Sequence, residues 1–287
     1  MNTTNKFTVV IPMHNKVHEI VRCLMAVMNN EVVPDEIIVV DNNSTDGSRE
    51  LIERLNSEGK FKNAKSFRIV EEKKQGAGAA RNRGLSEARS EYIILLDADD
   101  YWEPNFLVRL DNLISQNKSN VYVLGYRHFY GNSKCLRNRN IKKGVSSIVS
   151  RETFFFNYFW NRGFICSSNL VISRSVVKQF HFPSGSYEED LQLWFNLAGN
   201  EILTFDPKSY VVIDKKPKSK NSSVLQNQLN SKIAQDVNCG FWERQCRYRR
   251  SIYLCSYLQL PKLIISHPKY LFTVTLEMIR RAMLSFR

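Results

Sequence analysis

Short, unbroken apolar runs recur through the first hundred residues, and the segments between them carry apolar residues at helical spacing. The runs are FTVVI at 7–11, EIIVVD at 36–41, SFRIV at 66–70 and YIILLD at 92–97. A strand that is apolar at consecutive positions is covered on both faces. After the first run, Val17, Ile20, Val21, Leu24, Val27 and Met28 repeat every three or four residues, which predicts one stripe of a helix. Leu51, Ile52 and Leu55 mark a second helix, and GAGAARNRGLSEA (76–88) opens as a glycine loop and continues as a third. This alternation predicts an α/β fold with a mostly parallel sheet flanked by helices, because parallel neighbours must be joined by a crossover. Ligands of such sheets bind beyond the C-terminal ends of the strands. Residues 12–15, 41–44, 75–78 and 97–100 all follow strand ends, so one polar rim is expected to collect them.

Past Trp102 the pattern loosens. Phe106, Leu107, Leu110, Leu113 and Ile114 predict a helix within 103–115, VYVLGY (121–126) and NLVISR (169–174) predict strands, and 191–198 predicts a helix. From about residue 208 the chain turns basic and Ser/Asn-rich, and residues 241–287 interleave aromatic and basic residues in helical patterns broken at Pro261 and Pro268. Residues 207–287 hold 15 Lys and Arg against 4 Asp and Glu, a net +11 out of +13 for all 287 residues. The expected organisation is a catalytic domain over 1–206, divided near 102, and a basic helical extension over 207–287. A nucleic-acid binder would carry its basic residues along the fold, so no nucleic-acid partner is expected. The extension suits either an anionic membrane surface or packing onto the catalytic domain or a second copy. The first strand follows MNTTNK with no apolar signal core, and no uncharged run approaches the ~20 residues of a membrane-spanning helix. A cytoplasmic location is expected, free or peripheral on the inner face of the cytoplasmic membrane. Six cysteines without a C-x-x-C pair read as free thiols.

The chemistry gathers at YIILLDADDYW, where an apolar strand ends in Asp97, Asp99 and Asp100. Residues two apart in an extended segment point the same way, so Asp97 and Asp99 can face one point across the small Ala98. Mg²⁺ and Mn²⁺ prefer oxygen ligands, and phosphate oxygens can complete their shell. A solvated acidic turn would use the same residues. The loop around Gly76 and Gly78 can cradle phosphate on its N–H groups, or simply turn. It is not the dinucleotide fingerprint, since Arg81 replaces the third glycine; Arg81 and Arg83 can position a nucleotide or pair with Asp41. Asp41 ends a strand and can accept from a nucleobase N–H. Glu188, Glu189 and Asp190 precede a helical pattern, which fits both a dipole-stabilised helix start and a general base.

In this order, VVIPMHN, VVDNNSTDGS, GAGAARNRGL, LLDADD and a late EED resemble glycosyltransferase family 2, inverting enzymes of GT-A fold. The match covers about 7–102 and resumes near 188–197. The resemblance implies transfer of a sugar from a nucleotide sugar, a UDP-sugar, to a hydroxyl of a glycan or lipid-linked glycan in cell-surface polysaccharide or glycoconjugate synthesis. It implies Asp41 on the nucleobase, Asp99 on Mn²⁺ or Mg²⁺, and Asp97 on the ribose or the metal. Pro12, His14, Asn43, Gly76, Arg81 and Ala98 would line the nucleotide sugar. Asp190 would be the base, with Glu189 its competitor. Two departures stand out: His14 where the family has Tyr, and Asn42 where it has a second Asp. The Q-x-x-R-W motif of processive members is absent, which favours transfer of a single sugar. A nucleotidyltransferase of related fold and a non-catalytic nucleotide-sugar scaffold are the rival readings.

Overall fold

The computed structural model describes residues 6–129, 135–137, 147–149, 165–179, 181–182, 193–194, 197 and 201–214. The strands are β1 (Phe7–Met13), β2 (Glu36–Asp41), β3 (Ser66–Glu71), β4 (Tyr92–Leu95), β5 (Tyr101–Trp102), β6 (Val121–Phe129), β7 (Cys135–Arg137), β8 (Ser147–Val149), β9 (Leu170–Ser173) and β10 (Leu203–Asp214). They form a single sheet in the order β3-β2-β1-β4-β9-β6-β10-β5, with β7 beside β6 and β8 beside β10. The longer helices among them are α1 (Ile20–Met28), α2 (Ser48–Ser57), α3 (Ala77–Glu87) and α4 (Phe106–Gln116). The chain divides into two compact units at Pro217, and every described residue falls in the first.

Strands β1 to β4 are mutually parallel, as their apolar runs predict. The second half of the sheet is mixed, because β9 lies antiparallel between β4 and β6 while β10 again runs parallel to β6. Composition cannot reveal that reversal: a short buried strand reads the same in either direction, and the connection sets its polarity. Helix α1 begins at Ile20 instead of Val17, since Lys16 and Val17 are held in a turn by Ser48 Oγ (2.8 Å) and Asp46 Oδ2 (3.0 Å). Helix α4 likewise starts at Phe106, just after Pro104.

The two faces of β1 divide the core. Val9, Ile11 and Met13 join Ile37, Val39 and Ile94 of neighbouring strands with Ile20, Leu24 and Val27 of α1. Each such side chain, fully buried, contributes about 1.5–3 kcal/mol by leaving water. On the other face Val10 meets α3, where Gly84 permits a very close approach: a Cβ there would lie 2.1 Å from Val10 Cγ1. At the edge of the sheet opposite the polar rim, Glu36 is buried but fully engaged. It accepts from Thr8 Oγ1 (2.7 Å), Arg68 Nη2 (2.8 Å) and the Arg89 N–H (3.0 Å). Among the described residues no helix is long and apolar enough to cross a membrane.

Candidate active site

The expected rim forms. β1 and β2 run in register with Met13 opposite Asp41, so the segments that follow them leave the sheet side by side. β3 and β4 flank this pair, and the loops after them complete the edge.

Asp41 is 4% exposed. Its Oδ1 accepts from the Ser44 N–H (3.2 Å), and Arg49 stands 3.8 Å from Oδ2. The cation beside Asp41 is therefore Arg49, not Arg81. The Asn42 side chain ties the loop after β2 to the loop between β3 and α3. Its side-chain nitrogen donates to the carbonyls of Glu72 (2.7 Å) and Lys74 (2.8 Å), and its oxygen accepts from the Gly76 N–H (2.8 Å). His14, exposed on the rim, donates from Nδ1 to the Asn42 carbonyl at 2.7 Å. Asn43 adopts φ +61° and donates to the Lys73 carbonyl at 3.0 Å. Gly76, just before α3, has φ +129°, a conformation that side chains rarely adopt. Pro12 closes the row on β1, half-buried and opposite Val40.

The acidic loop after β4 is neutralised by the chain itself. Arg81 Nη2 lies 2.8 Å from Asp97 Oδ1, and its guanidinium sits 5.2 Å from the Phe182 ring centre. Lys16 Nζ lies 2.6 Å from Asp99 Oδ2. Arg22 donates to the Asp99 carbonyl (2.8 Å) and to Asp214 Oδ2 (2.7 Å). Ala98 is buried between the two acids. Asp100 turns the other way. It is 5% exposed, accepts from Ser168 Oγ and from the Asp214 N–H (3.1 Å), and its carboxyl is pushed up to about 7 by burial and by the Asp97 charge. Ser168 Oγ also accepts from the Asp97 N–H (3.1 Å), so one hydroxyl holds both ends of the loop. Burial, with Asp100 close by, pushes the Cys23 and Cys166 thiols up and keeps them neutral; among the described residues both are free cysteines.

Among the described residues no cluster of three His, Cys, Asp or Glu could hold a metal on its own. Asp97 and Asp99 nonetheless suit a hard cation. Both are hard oxygen donors with side chains 32% exposed, and a shared ion could take its remaining ligands from a diphosphate. Asp100 is spoken for by Ser168 and the Asp214 N–H.

Glu189 and Asp190 lie outside the described residues, as does the basic extension beyond residue 214. Leu193, Trp194 and Leu197 are helical and buried, in keeping with the apolar pattern that follows the acids. Lys16, Arg22, Ser168 and Asp214 were not singled out by sequence reasoning. Lys16 directly follows VVIPMHN, a position that could have flagged it; Ser168, in an unpatterned SSN, carries no such signal.

The chain matches the family model "Glycosyl transferase family 2" over residues 8–180. A relative from Escherichia coli, UDP-Glc:alpha-D-GlcNAc-diphosphoundecaprenol beta-1,3-glucosyltransferase WfgD, is 25% identical over 254 residues, covering 88% of this chain and 91% of that one. The structure of S. aureus TarS 1–349 in complex with UDP-GlcNAc superposes with a TM-score of 0.60 at 16% identity, covering 92% of this chain and 80% of the other. The mannosyltransferase PcManGT from Pyrobaculum calidifontis, in complex with GDP-Man and Mn²⁺, gives 0.61 at 15% identity, covering 100% and 82%. The GT-A-type fold implied by the motifs is the fold of these structures, and the family's chemistry is glycosyl rather than nucleotidyl transfer. With its family match spanning more than half its length, the chain belongs to glycosyl transferase family 2.

Proposed function

We propose that the protein is an inverting glycosyltransferase that moves one sugar from a nucleotide sugar, a UDP-sugar, to a hydroxyl of a glycan or lipid-linked glycan in cell-surface polysaccharide or glycoconjugate synthesis. The observation that carries this reading is the convergence on one rim of a buried Asp41, a glycine turn before α3 and the paired carboxylates Asp97 and Asp99. The names of relatives that act on lipid-linked diphospho-sugars support the acceptor class.

In this reading Asp41 accepts from the nucleobase, while Pro12, His14 and Asn43 border it. Gly76 lets the backbone approach the diphosphate, and Arg81 fixes Asp97 toward the ribose. Asp99, with Asp97, would hold Mn²⁺ or Mg²⁺, which supplies positive charge to the diphosphate as it leaves. Ala98 leaves room between the two acids. Asp190, or Glu189 beside it, takes the proton from the acceptor hydroxyl on the opposite face of the sugar, so a single displacement inverts the anomeric carbon. The basic segment 207–287 presents the chain to the anionic surface that carries a lipid-linked acceptor, which makes the protein peripheral to the cytoplasmic membrane.

The test is a panel of UDP- and GDP-sugars with Mn²⁺ and a lipid-linked acceptor, scored by nucleoside diphosphate release. Asp99→Ala and Asp190→Ala should each lose at least about a hundredfold in kcat, the scale of lost charge stabilisation or a lost base. Full turnover in both variants would overturn the assignment.

A further inference from the structure

Lys16 is anchored before its side chain is considered. Its N–H donates to Ser48 Oγ at 2.8 Å, and its carbonyl accepts from the N–H groups of Glu19 (3.0 Å) and Ile20 (2.9 Å) at the start of α1. Ser48 is itself buried, with its N–H on Asp46 Oδ1 at 3.0 Å. Burial alone would raise the Asp46 carboxyl, but the bonds from the Ser48 hydroxyl and from the Val17 and Ser48 N–H groups hold it below the usual carboxylate range, so this anchor stays ionised at neutral pH. The chain around Lys16 is thus tied to α2, and its ammonium is delivered to Asp99 Oδ2 at 2.6 Å.

The other cations on the acidic loop are placed differently. Arg22 spends its guanidinium on the Asp99 carbonyl and on Asp214, leaving the Asp99 carboxylate alone. Arg81 has a side chain only 9% exposed and lies against Phe182, so its hold on Asp97 is structural. Lys16 and Asp99 have side chains 30% and 32% exposed. An ion pair this open to water is weak, and the long lysine side chain can swing away. Asp99 is the carboxylate assigned above to a divalent cation, and a cation bound there repels the mobile ammonium already on Oδ2.

We propose that Lys16 is a tethered counter-ion that neutralises Asp99 in the donor-free protein, and that a divalent cation must displace it. Lys16 then sets how tightly the protein takes up the cation before the donor arrives, and its role rests on the assignment of Asp99 as a ligand. While Lys16 stays in place, the Asp99 charge is matched without metal; once displaced, its ammonium is free beside the diphosphate site.

The test is a Mn²⁺ titration of the full chain without donor, with free Mn²⁺ followed by electron paramagnetic resonance. Lys16→Gln should bind Mn²⁺ about two- to fivefold more tightly than the parent, the scale set by a partly exposed ion pair. Lys16→Arg, which keeps the charge and the reach, should match the parent. Lys73→Gln removes an equal charge from the same rim, at an exposed position on the loop after β3, and should shift affinity by less than about twofold because separated surface charges are screened. If Lys16→Gln binds no more tightly than Lys73→Gln, the counter-ion role is overturned. Asp99→Asn separates the two layers of the argument. If it abolishes binding while Lys16→Gln changes nothing, Asp99 remains a ligand and only the role of Lys16 falls. If Asp99→Asn leaves the affinity of the Lys16→Gln protein unchanged, the ligand assignment falls and takes the role of Lys16 with it.

Discussion

Asn42 shows how much one side-chain nitrogen can decide. It is 3% exposed, donates to two carbonyls and accepts from one N–H, so its amide is fully used in joining β2 to the loop that leads into α3. An aspartate would keep the acceptor but would face the Glu72 and Lys74 carbonyls with no hydrogen to give. That accounts for the departure from the second aspartate of the family pattern: here the position serves as a staple between loops. Asn42→Asp should destabilise the protein by about 2–3 kcal/mol, the cost of buried oxygens set against each other, and thermal unfolding would read it as a lowered Tm. An unchanged Tm would mean that the loops hold without the amide. Asp100 makes a related point. Three adjacent-looking carboxylates do three different things: Asp97 meets Arg81, Asp99 meets Lys16, and Asp100 faces inward to Ser168 and Asp214.

Among the elements, α3 and β1 set the precision of the rim. α3 begins just after Gly76 and carries Arg81, and Gly84 near its other end lets it lie against Val10. A methyl group at residue 84 would penetrate Val10, which is fully buried in the central strand and cannot yield. Gly84→Ala should therefore push α3 off the sheet, at a cost of about 1–3 kcal/mol despite the better helix propensity of alanine. Because Gly76 leads directly into this helix and Arg81 is carried on it, donor affinity should fall along with stability. Chemical denaturation and titration with UDP would measure the two effects on one preparation; a stabilised variant would show that the contact has slack. The helix itself is legible in GAGAARNRGL, but the reason for its second glycine lies in a strand more than seventy residues earlier.

For the whole molecule, the charge is distributed unevenly along the chain. On the rim Asp41, Asp97 and Asp99 are matched locally by Arg49, Arg81 and Lys16, while a net +11 sits in residues 207–287. Neutralising Arg247, Arg249 and Arg250 to Gln in the full chain should lower binding to vesicles containing anionic lipid by about tenfold or more, since each basic residue near such a surface contributes about 1 kcal/mol. Sedimentation with vesicles of neutral and anionic composition would test it, and equal binding of parent and variant would remove the membrane role of the extension. The amino-acid sequence alone determined the parallel strands β1 to β4, the helices between them and the rim where their loops meet, because apolar runs and helical stripes are local patterns set by burial. Only the tertiary structure decided which cation answers which carboxylate, and which way β9 runs. Lys16 and Asp99 are 83 residues apart, and Ser168 and Asp100 are 68 apart. No periodicity joins such positions: an ion pair or a shared hydroxyl is fixed by where the packed chain brings its ends, and that follows from the core as a whole.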